Sequence, residues 1–470
     1  MAGPSRTGRL PEAGVMRRPM TILRSHPPGL ALLFFTETWE RFSYYGMRAL
    51  LVLYMTEQLL LAPTARHVLG YEYLHRSLES VFGPLGPQAM ASQIYGLYTS
   101  LLYFTPFFGG LLADRVLGQY RTVIIGAIVM AIGHFLMASE TFFLLALLCI
   151  IVGNGCFKPN VSTQVGHLYS RTDARRDSAF SIFYMGINLG ATVAPMVCGT
   201  LGEVYGWHYG FVTAGIGMLA GLTIYVGGRR HLPRDVARDF PAAVRQPARR
   251  GADIKAIAAL CLVACVITFF WAAYEQQGNA IVLWVRDFTD RSFFGLFELR
   301  TTWFLSLNPL FIFVLTPLLV ASWTWAAARG GGMSPGTKMA LGCLFACAAY
   351  GVLVLAVALA GGTRVSWAWM VLFFILLTLA ELHVSPVALS LFSRAAPAWA
   401  ASMMMGVWFM SGVAGNYLAG VMGSFWERLP KGTFWALAGA VPLFAGLIML
   451  GLRGLLDRII LQQQALDTPR

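Results

Sequence analysis

Charged residues are scarce in this chain. Asp, Glu, Lys and Arg make up 12% of the 470 residues, whereas hydrophobic residues make up 57%, and the mean hydropathy is +0.62. A soluble protein carries more charge than this on its surface. The apolar residues recur in blocks of about 20, which is the length that a helix needs to cross a bilayer. The composition excludes a soluble protein and predicts an all-α polytopic membrane protein.

The sequence also lacks the patterns of a metal site or of an enzyme. Its seven cysteines all lie in apolar segments, and their spacing matches no metal-binding motif. We expect them to be small buried residues. There is no nucleophile with a paired base and no phosphate-binding loop. We therefore expect no enzymatic activity, no metal and no organic cofactor.

Acidic residues are fewer than basic ones, 22 against 35, which gives a net charge of +13. Basic residues are concentrated in the cytoplasmic loops of membrane proteins, and this accounts for the excess without a nucleic-acid partner. The Lys and Arg of the short loops lie mainly on the side where the first apolar block begins. We predict that both termini are cytoplasmic, in a multi-pass protein of the cell membrane.

Twelve apolar blocks predict membrane spans, with boundaries good to a few residues. They cover residues 29–60, 91–113, 121–139, 142–163, 178–201, 209–228, 254–286, 301–327, 337–361, 366–393, 400–425 and 433–456. A polar segment rich in Arg and Pro separates six spans from six. The predicted division is a tail at 1–28, a bundle at 29–228, a linker at 229–253, a second bundle at 254–456 and a tail at 457–470.

The first span carries unexpected charges. Glu37, Glu40, Arg41 and Arg48 lie along one face at helical spacing. Charges inside a membrane are costly, and they usually face a bundle interior or a watery cavity and pair with one another. The same reasoning applies to Lys158 and Glu275, which interrupt apolar spans. The charges predict a working site within the membrane.

Several motifs carry a family resemblance. Residues 107–121 resemble the glycine–aspartate–arginine–glycine loop of the major facilitator superfamily, whose fold is twelve helices in two six-helix bundles. More specifically, residues 37–46 (ETWERFSYYG) are similar to the first-helix signature of the proton-coupled oligopeptide transporter family. Four further stretches agree with that family, namely 154–162 (NGCFKPNVS), 180–190 (FSIFYMGINLG), 270–278 (FWAAYEQQG) and 381–386 (ELHVSP).

The resemblance implies a symporter that imports di- and tripeptides with protons by alternating access, in a lipid bilayer and with no obligate protein partner evident. It implies a role in proton coupling, the proton being the coupling ion, for Glu37, Glu40, Arg41, Lys158 and Glu275. It implies substrate binding by Arg41, Tyr45, Arg48, Tyr103, Lys158, Asn188, Trp271, Asn308, Glu381, Ser385 and Trp408. It implies gating by Arg48 paired with Glu275, by Lys158 pairing alternately with Glu381, and by Asp114 and Arg115.

The chain departs from the family in three places. Prokaryotic members commonly insert two helices between the bundles, and 229–253 is too short for them. Mammalian relatives couple protons through a second-helix histidine where this chain has Gly96, and Ala380 replaces a glycine before Glu381. Proton coupling must then rest on carboxylates. The alternatives left open are a carrier of nitrate, an amino acid or a peptide-like compound, and, outside transport, a membrane-bound enzyme or sensor.

Overall fold

The computed structural model describes residues 26–170, 173, 175–233 and 250–467. Twelve long helices account for most of them. They are α1 Pro28–Tyr54, α2 Pro87–Phe104, α3 Gln119–Leu136, α4 Phe143–His167, α5 Arg176–Tyr205, α6 Trp207–Gly227, α7 Arg250–Tyr274, α8 Leu307–Ala328, α9 Pro335–Ala360, α10 Ala368–Ala395, α11 Ala401–Gly423 and α12 Lys431–Asp467.

Short elements extend or connect these helices. The shorter helices are Met55–Leu59, Thr64–His67, Tyr71–Phe82, Pro106–Leu112, Ala113–Leu117, Glu140–Phe142, Arg229–His231, Glu275–Gly278, Ala280–Phe288, Thr301–Ser306 and Ala398–Ala400. Thr289–Asp290 pairs in parallel with Val365–Ser366, and Ser292–Phe293 pairs antiparallel with Phe297–Glu298. The amphipathic helix Tyr71–Phe82 lies between the first and second predicted spans, where no helix was predicted.

The helices form the two six-helix bundles that the sequence predicts. In the first bundle α1 packs against α5 and α6, and α3 packs against α4 and α6. In the second bundle α9 packs against α10 and α12, and α7 packs against α11 and α12. Ten helical segments of the described chain are long and apolar enough to cross a membrane. The other two are α1, which carries the charged stripe, and α11.

Two sides of the molecule can be named from this topology. The termini side is the one where α1 begins, and α12 ends there after an even number of crossings. The far side is the one where α1 ends. Residues 1–25 of the predicted tail and 234–249 of the predicted linker lie outside the described residues. Helix α12 continues through the predicted C-terminal tail as far as Asp467.

The expectation that all the cysteines are buried was wrong. Cys156, Cys198 and Cys343 are buried, but Cys265 is exposed and the other three are partly exposed. A membrane helix also presents apolar residues outward, toward lipid, so an apolar segment does not imply a buried side chain. All seven are free thiols.

Candidate functional site

A cavity of about 460 Å³ lies between the two bundles. All eleven side chains predicted to bind substrate line it. They are Arg41, Tyr45, Arg48, Tyr103, Lys158, Asn188, Trp271, Asn308, Glu381, Ser385 and Trp408. Helices α1, α2, α4 and α5 supply one wall, and α7, α8, α10 and α11 supply the other. Residues that are far apart in sequence, on eight helices, therefore face one space.

The acids of the first-helix stripe lie behind this cavity. Arg41 pairs with Glu37, at 3.1 Å between Nε and Oε1, and also with Glu40. The amide of Asn154 donates to the other oxygen of Glu40, at 3.3 Å. Both carboxylates are buried, whereas Arg41 reaches the cavity wall. Arg41 is therefore the link between the acids and the cavity.

Lys158 enters the cavity from α4. Its ammonium lies 4.9 Å from the centre of the Tyr103 ring, a cation–π geometry. Within the described part of the chain, no carboxylate lies within 4.0 Å of it, so the predicted pair with Glu381 is not formed in this conformation. Its predicted role in gating stays a prediction.

Arg48 and Glu275 form an ion pair between α1 and the short helix that follows α7. The Arg48 guanidinium also donates to the Tyr95 hydroxyl oxygen, with Nη2 at 2.6 Å. The side chains are 11% and 3% exposed. Removing one partner of such a buried pair leaves an uncompensated charge, so the pair links the two bundles strongly while both members are charged.

Helix α7 changes geometry where Glu275 sits. After Tyr274 the α-helix gives way to a tighter helix at Glu275–Gly278, and Asn279 has a non-helical backbone before Ala280–Phe288 begins. The side chains of Gln276 and Asn279 both donate to the carbonyl of Ala419 on α11, at 2.8 and 3.2 Å. This irregular turn holds Glu275 in place toward α1.

Glu381 provides negative charge on the second bundle. The Asn308 amide donates to Glu381 Oε2 at 3.1 Å and to Thr378 Oγ1 at 3.1 Å, which fixes both side chains. Ser385 follows one turn later on the same face of α10. Trp271 and Trp408 meet edge to face, with ring centres 6.1 Å apart, and form an aromatic wall of the cavity. The cavity thus has cations on one bundle and two carboxylates, Glu275 and Glu381, on the other.

The cavity is closed on the far side. There the bundles are joined by Arg48 to Glu275, by Ser92 to Asn279 at 2.8 Å, and by Glu203 accepting from the backbone of Thr302 at 2.8 Å. Toward the termini side the lining residues are open, with Tyr184 46% and Phe409 50% exposed. The structure is therefore open to the termini side.

Asp114 and Arg115 do not line the cavity. They lie in the helical turn Ala113–Leu117, where the α2 segment leads into α3 on the termini side, and Arg115 is exposed. Their predicted role in gating would act through the ends of the helices.

Sequence reasoning missed several polar residues of the site. Asn154, Tyr184, Tyr274 and Gln277 lie inside the stretches that carry the family resemblance, so those stretches contained the signal. Tyr95, the partner of Arg48, lies in no quoted motif. Its role depends on the meeting of α2 with α1, which spacing along the chain does not reveal.

Comparison with known proteins agrees with this architecture. A model of the POT family matches residues 120–243 and 235–436. The peptide transporter YePEPT of Yersinia enterocolitica is 35% identical over 85% of this chain and 88% of its own. A di-/tripeptide transporter of Lactococcus lactis is 33% identical over 90% and 94%.

Solved structures agree as well. A crystal structure of a peptide transporter POT mutant in complex with alafosfalin is 32% identical, covers 92% of this chain and 96% of its own, and superposes with a TM-score of 0.79. Likeness in sequence and in fold thus extends over both bundles. This chain is a member of the POT family.

Proposed function

We propose that this protein is a proton-coupled symporter that imports di- and tripeptides across the cell membrane by alternating access. The observation that carries the proposal is the distribution of charge in the cavity. Arg41, Arg48 and Lys158 stand on one bundle, and the carboxylates of Glu381 and of Glu275, the partner of Arg48, stand on the other. The names of the relatives, a peptide transporter and a di-/tripeptide transporter, support the same assignment.

A short peptide is a zwitterion, and its two ends need opposite partners. A guanidinium binds a carboxylate through directed, charge-assisted hydrogen bonds, and a carboxylate does the same for an ammonium. We assign the peptide carboxylate to the cations of the first bundle and the amino group to Glu381. The side chains of the peptide then meet Tyr45, Trp271 and Trp408, whose ring faces accept many apolar shapes.

Proton coupling follows from the buried ion pairs. When a carboxylate takes up a proton it loses its charge, and its attraction to a neighbouring guanidinium falls. Protonation of Glu275 would weaken the Arg48 pair and release the far side. Protonation of Glu37 or Glu40 would free Arg41 for a different partner, the peptide carboxylate. The inward gradient of protons would thereby drive inward movement of peptide.

Orientation completes the proposal. With both termini cytoplasmic, the open termini side is the inner side, and the conformation is the one that releases substrate to the cytoplasm. The two bundles would rock about the cavity to expose it to the other side. The paired contacts of the far side would then be exchanged for contacts on the termini side, with Lys158 meeting Glu381.

Uptake into proteoliposomes tests the assignment. We expect labelled dialanine to accumulate when the lumen is more alkaline than the outside, and not without a proton gradient. Unlabelled di- and tripeptides should compete, whereas nitrate and single amino acids should not. If dialanine neither enters nor competes while nitrate or an amino acid does, the peptide assignment fails but a transporter remains.

A further inference from the structure

A second cavity, of about 610 Å³, lies within the C-terminal bundle on the termini side. Its polar lining comes from Trp323 on α8, Lys338 on α9, Ser390 and Arg394 on α10, and Asp457 on α12. None of these residues lines the cavity between the bundles. On α10 the two cavities occupy different faces, since Glu381, Ser385 and Leu389 serve the first and Ser390 and Arg394 serve the second.

The basic groups of this second cavity lack acidic partners. The Lys338 ammonium lies over the Trp323 ring, 3.9 Å from its centre, and Arg394 Nε donates weakly to the backbone oxygen of Ser390 at 3.4 Å. Among the residues that the structure describes, no carboxylate lies within 4.0 Å of either. The buried indole nitrogen of Trp323 has no hydrogen-bond partner either. These donors together suit a phosphate group, which offers several acceptor oxygens.

The surroundings favour a lipid over a soluble anion. Trp325, two residues from Trp323, is 61% exposed and has the Arg329 guanidinium 4.0 Å from its ring centre. Exposed Trp and Arg are typical of the level of the lipid headgroups. Leu318 on α8 and Leu455 on α12 are exposed apolar side chains that acyl chains can cover. Basic pockets between membrane helices at this level bind phospholipid headgroups.

Asp457 narrows the choice of headgroup. A purely anionic headgroup would leave this carboxylate facing a second negative charge, whereas a headgroup with a primary amine gives it a cationic partner. We propose that the second cavity binds a phospholipid with a phosphoethanolamine headgroup, whose phosphate lies between Lys338 and Arg394 and whose ammonium meets Asp457. The proposal is independent of which solute the protein carries.

Occupancy of this site has a structural consequence. The headgroup would contact α8, α9, α10 and α12 at once, because the polar lining comes from all four. It would therefore hold the termini-side half of α10 against the rest of its bundle, beside Pro386, which lies inside the helix and removes one backbone hydrogen bond. We expect bound lipid to raise the thermal stability of the full-length protein.

Binding of short-chain lipids to the delipidated full chain in detergent tests the proposal. The probes are dioctanoyl phosphatidylethanolamine, dioctanoyl phosphatidylglycerol and inorganic phosphate, with binding read by native mass spectrometry and by the shift in unfolding temperature. We expect phosphatidylethanolamine to bind most tightly. Lys338→Gln and Arg394→Gln should each weaken it about tenfold, since each removes a charged hydrogen bond. Lys255→Gln, an exposed change on α7, should have no effect.

Asp457→Asn is the sharper variant, because the amide keeps the shape of the side chain and the fold. We expect it to reduce the preference for phosphatidylethanolamine over phosphatidylglycerol. Equal binding of the two lipids by the unmodified protein would overturn the proposal, as would unaltered lipid affinity in Lys338→Gln and Arg394→Gln. Stabilisation by inorganic phosphate alone, equal to that by lipid, would identify a soluble anion site instead and also overturn it.

Discussion

The two ends of the central cavity are built differently. On the far side the bundles touch through a buried ion pair, through polar side chains and through the backbone. Helices α2 and α11 are so close there that a Cβ added at Gly96 would lie 2.6 Å from the Cα of Gly420. On the termini side the lining residues Tyr184, Leu389 and Phe409 are exposed. The same two bundles are thus closely packed at one end and separated at the other.

This difference indicates which contacts must separate for the far side to open. Opening the far side requires separating the buried Arg48–Glu275 ion pair and the close contact of α2 with α11. The ion pair depends on the charge of Glu275. In the proposed mechanism, protons therefore act on the closed end and peptide binds in the space between the ends. The following changes are arranged from the largest expected effect on this contrast to the smallest.

Glu275→Gln should have the largest effect. Loss of one partner of a buried pair costs about 3 to 5 kcal/mol. In addition, the glutamine amide cannot take up or release a proton at physiological pH. We expect gradient-driven uptake of dialanine to fall to background, with some counterflow exchange retained. Glu40→Gln should likewise lose gradient-driven uptake and retain some counterflow exchange. Glu72→Gln, an exposed change in the helix Tyr71–Phe82, is the control, and unaltered gradient-driven uptake in both variants would rule out this coupling.

Gly96→Leu should keep the far side from closing. The added side chain has no room beside Gly420, and overpacking costs about 1 to 3 kcal/mol. That is roughly a fivefold to a 150-fold loss of the closed population. We expect dialanine uptake to fall in proportion. Gly351→Leu on α9, where an added Cβ meets nothing within 4 Å, should leave uptake unchanged. If Gly96→Leu transports as fast as the unmodified protein, the contact between Gly96 and Gly420 does not have to close during the transport cycle.

Glu381→Gln should weaken substrate recognition without changing the closed end. It removes the charged partner of the peptide amino group, which is worth about 1.5 to 3 kcal/mol or roughly tenfold or more in affinity. The test compares dialanine with N-acetylated dialanine as competitors of uptake. The unmodified protein should prefer the free amine, and the variant should lose that preference. A preference that persists in Glu381→Gln would place the amino group elsewhere.

Glu203→Gln should have the smallest effect. Its carboxylate accepts from the Thr301 and Thr302 backbone and from the Thr302 hydroxyl, and so joins α5 to the short helix Thr301–Ser306 that precedes α8. An amide keeps one of the two oxygen acceptors but loses the other and the 3.9 Å pair with Arg291, so the loss is about 1 to 1.5 kcal/mol. We expect uptake to change by a few-fold, measured beside Glu72→Gln as the exposed control. A complete loss of uptake would assign Glu203 a larger part than a structural contact.

Much of the site was predictable from sequence because charge inside a membrane is so costly. Glu37, Glu40, Arg41 and Lys158 stood out against apolar neighbours, and the family resemblance supplied the partner of Arg48. The ordering of helices into two bundles followed from the spacing of apolar blocks. These features depend on local composition, which a single chain displays directly.

Other features depend on contacts between distant segments. Three features are made by helices that meet only in three dimensions. They are the contact of Tyr95 with Arg48, the contact of Glu203 with the short helix Thr301–Ser306, and the second cavity. The irregular turn at Glu275–Gly278 had no clear signal, since its residues also suit a regular helix. The predicted Lys158–Glu381 pair is not formed in this conformation, in which the termini side is open.

If one end of the cavity closes as the other opens, the distances across the two ends should change together. The most direct test is to measure both distances by double electron–electron resonance. Spin labels at Val204 and Leu296 report the far side, and labels at Ser181 and Met403 report the termini side, in a background without native cysteines. We predict a short far-side distance in the unmodified protein. In Glu275→Gln a second, longer far-side population should appear together with a shorter termini-side distance. Far-side distances that are identical in the two proteins would contradict the account.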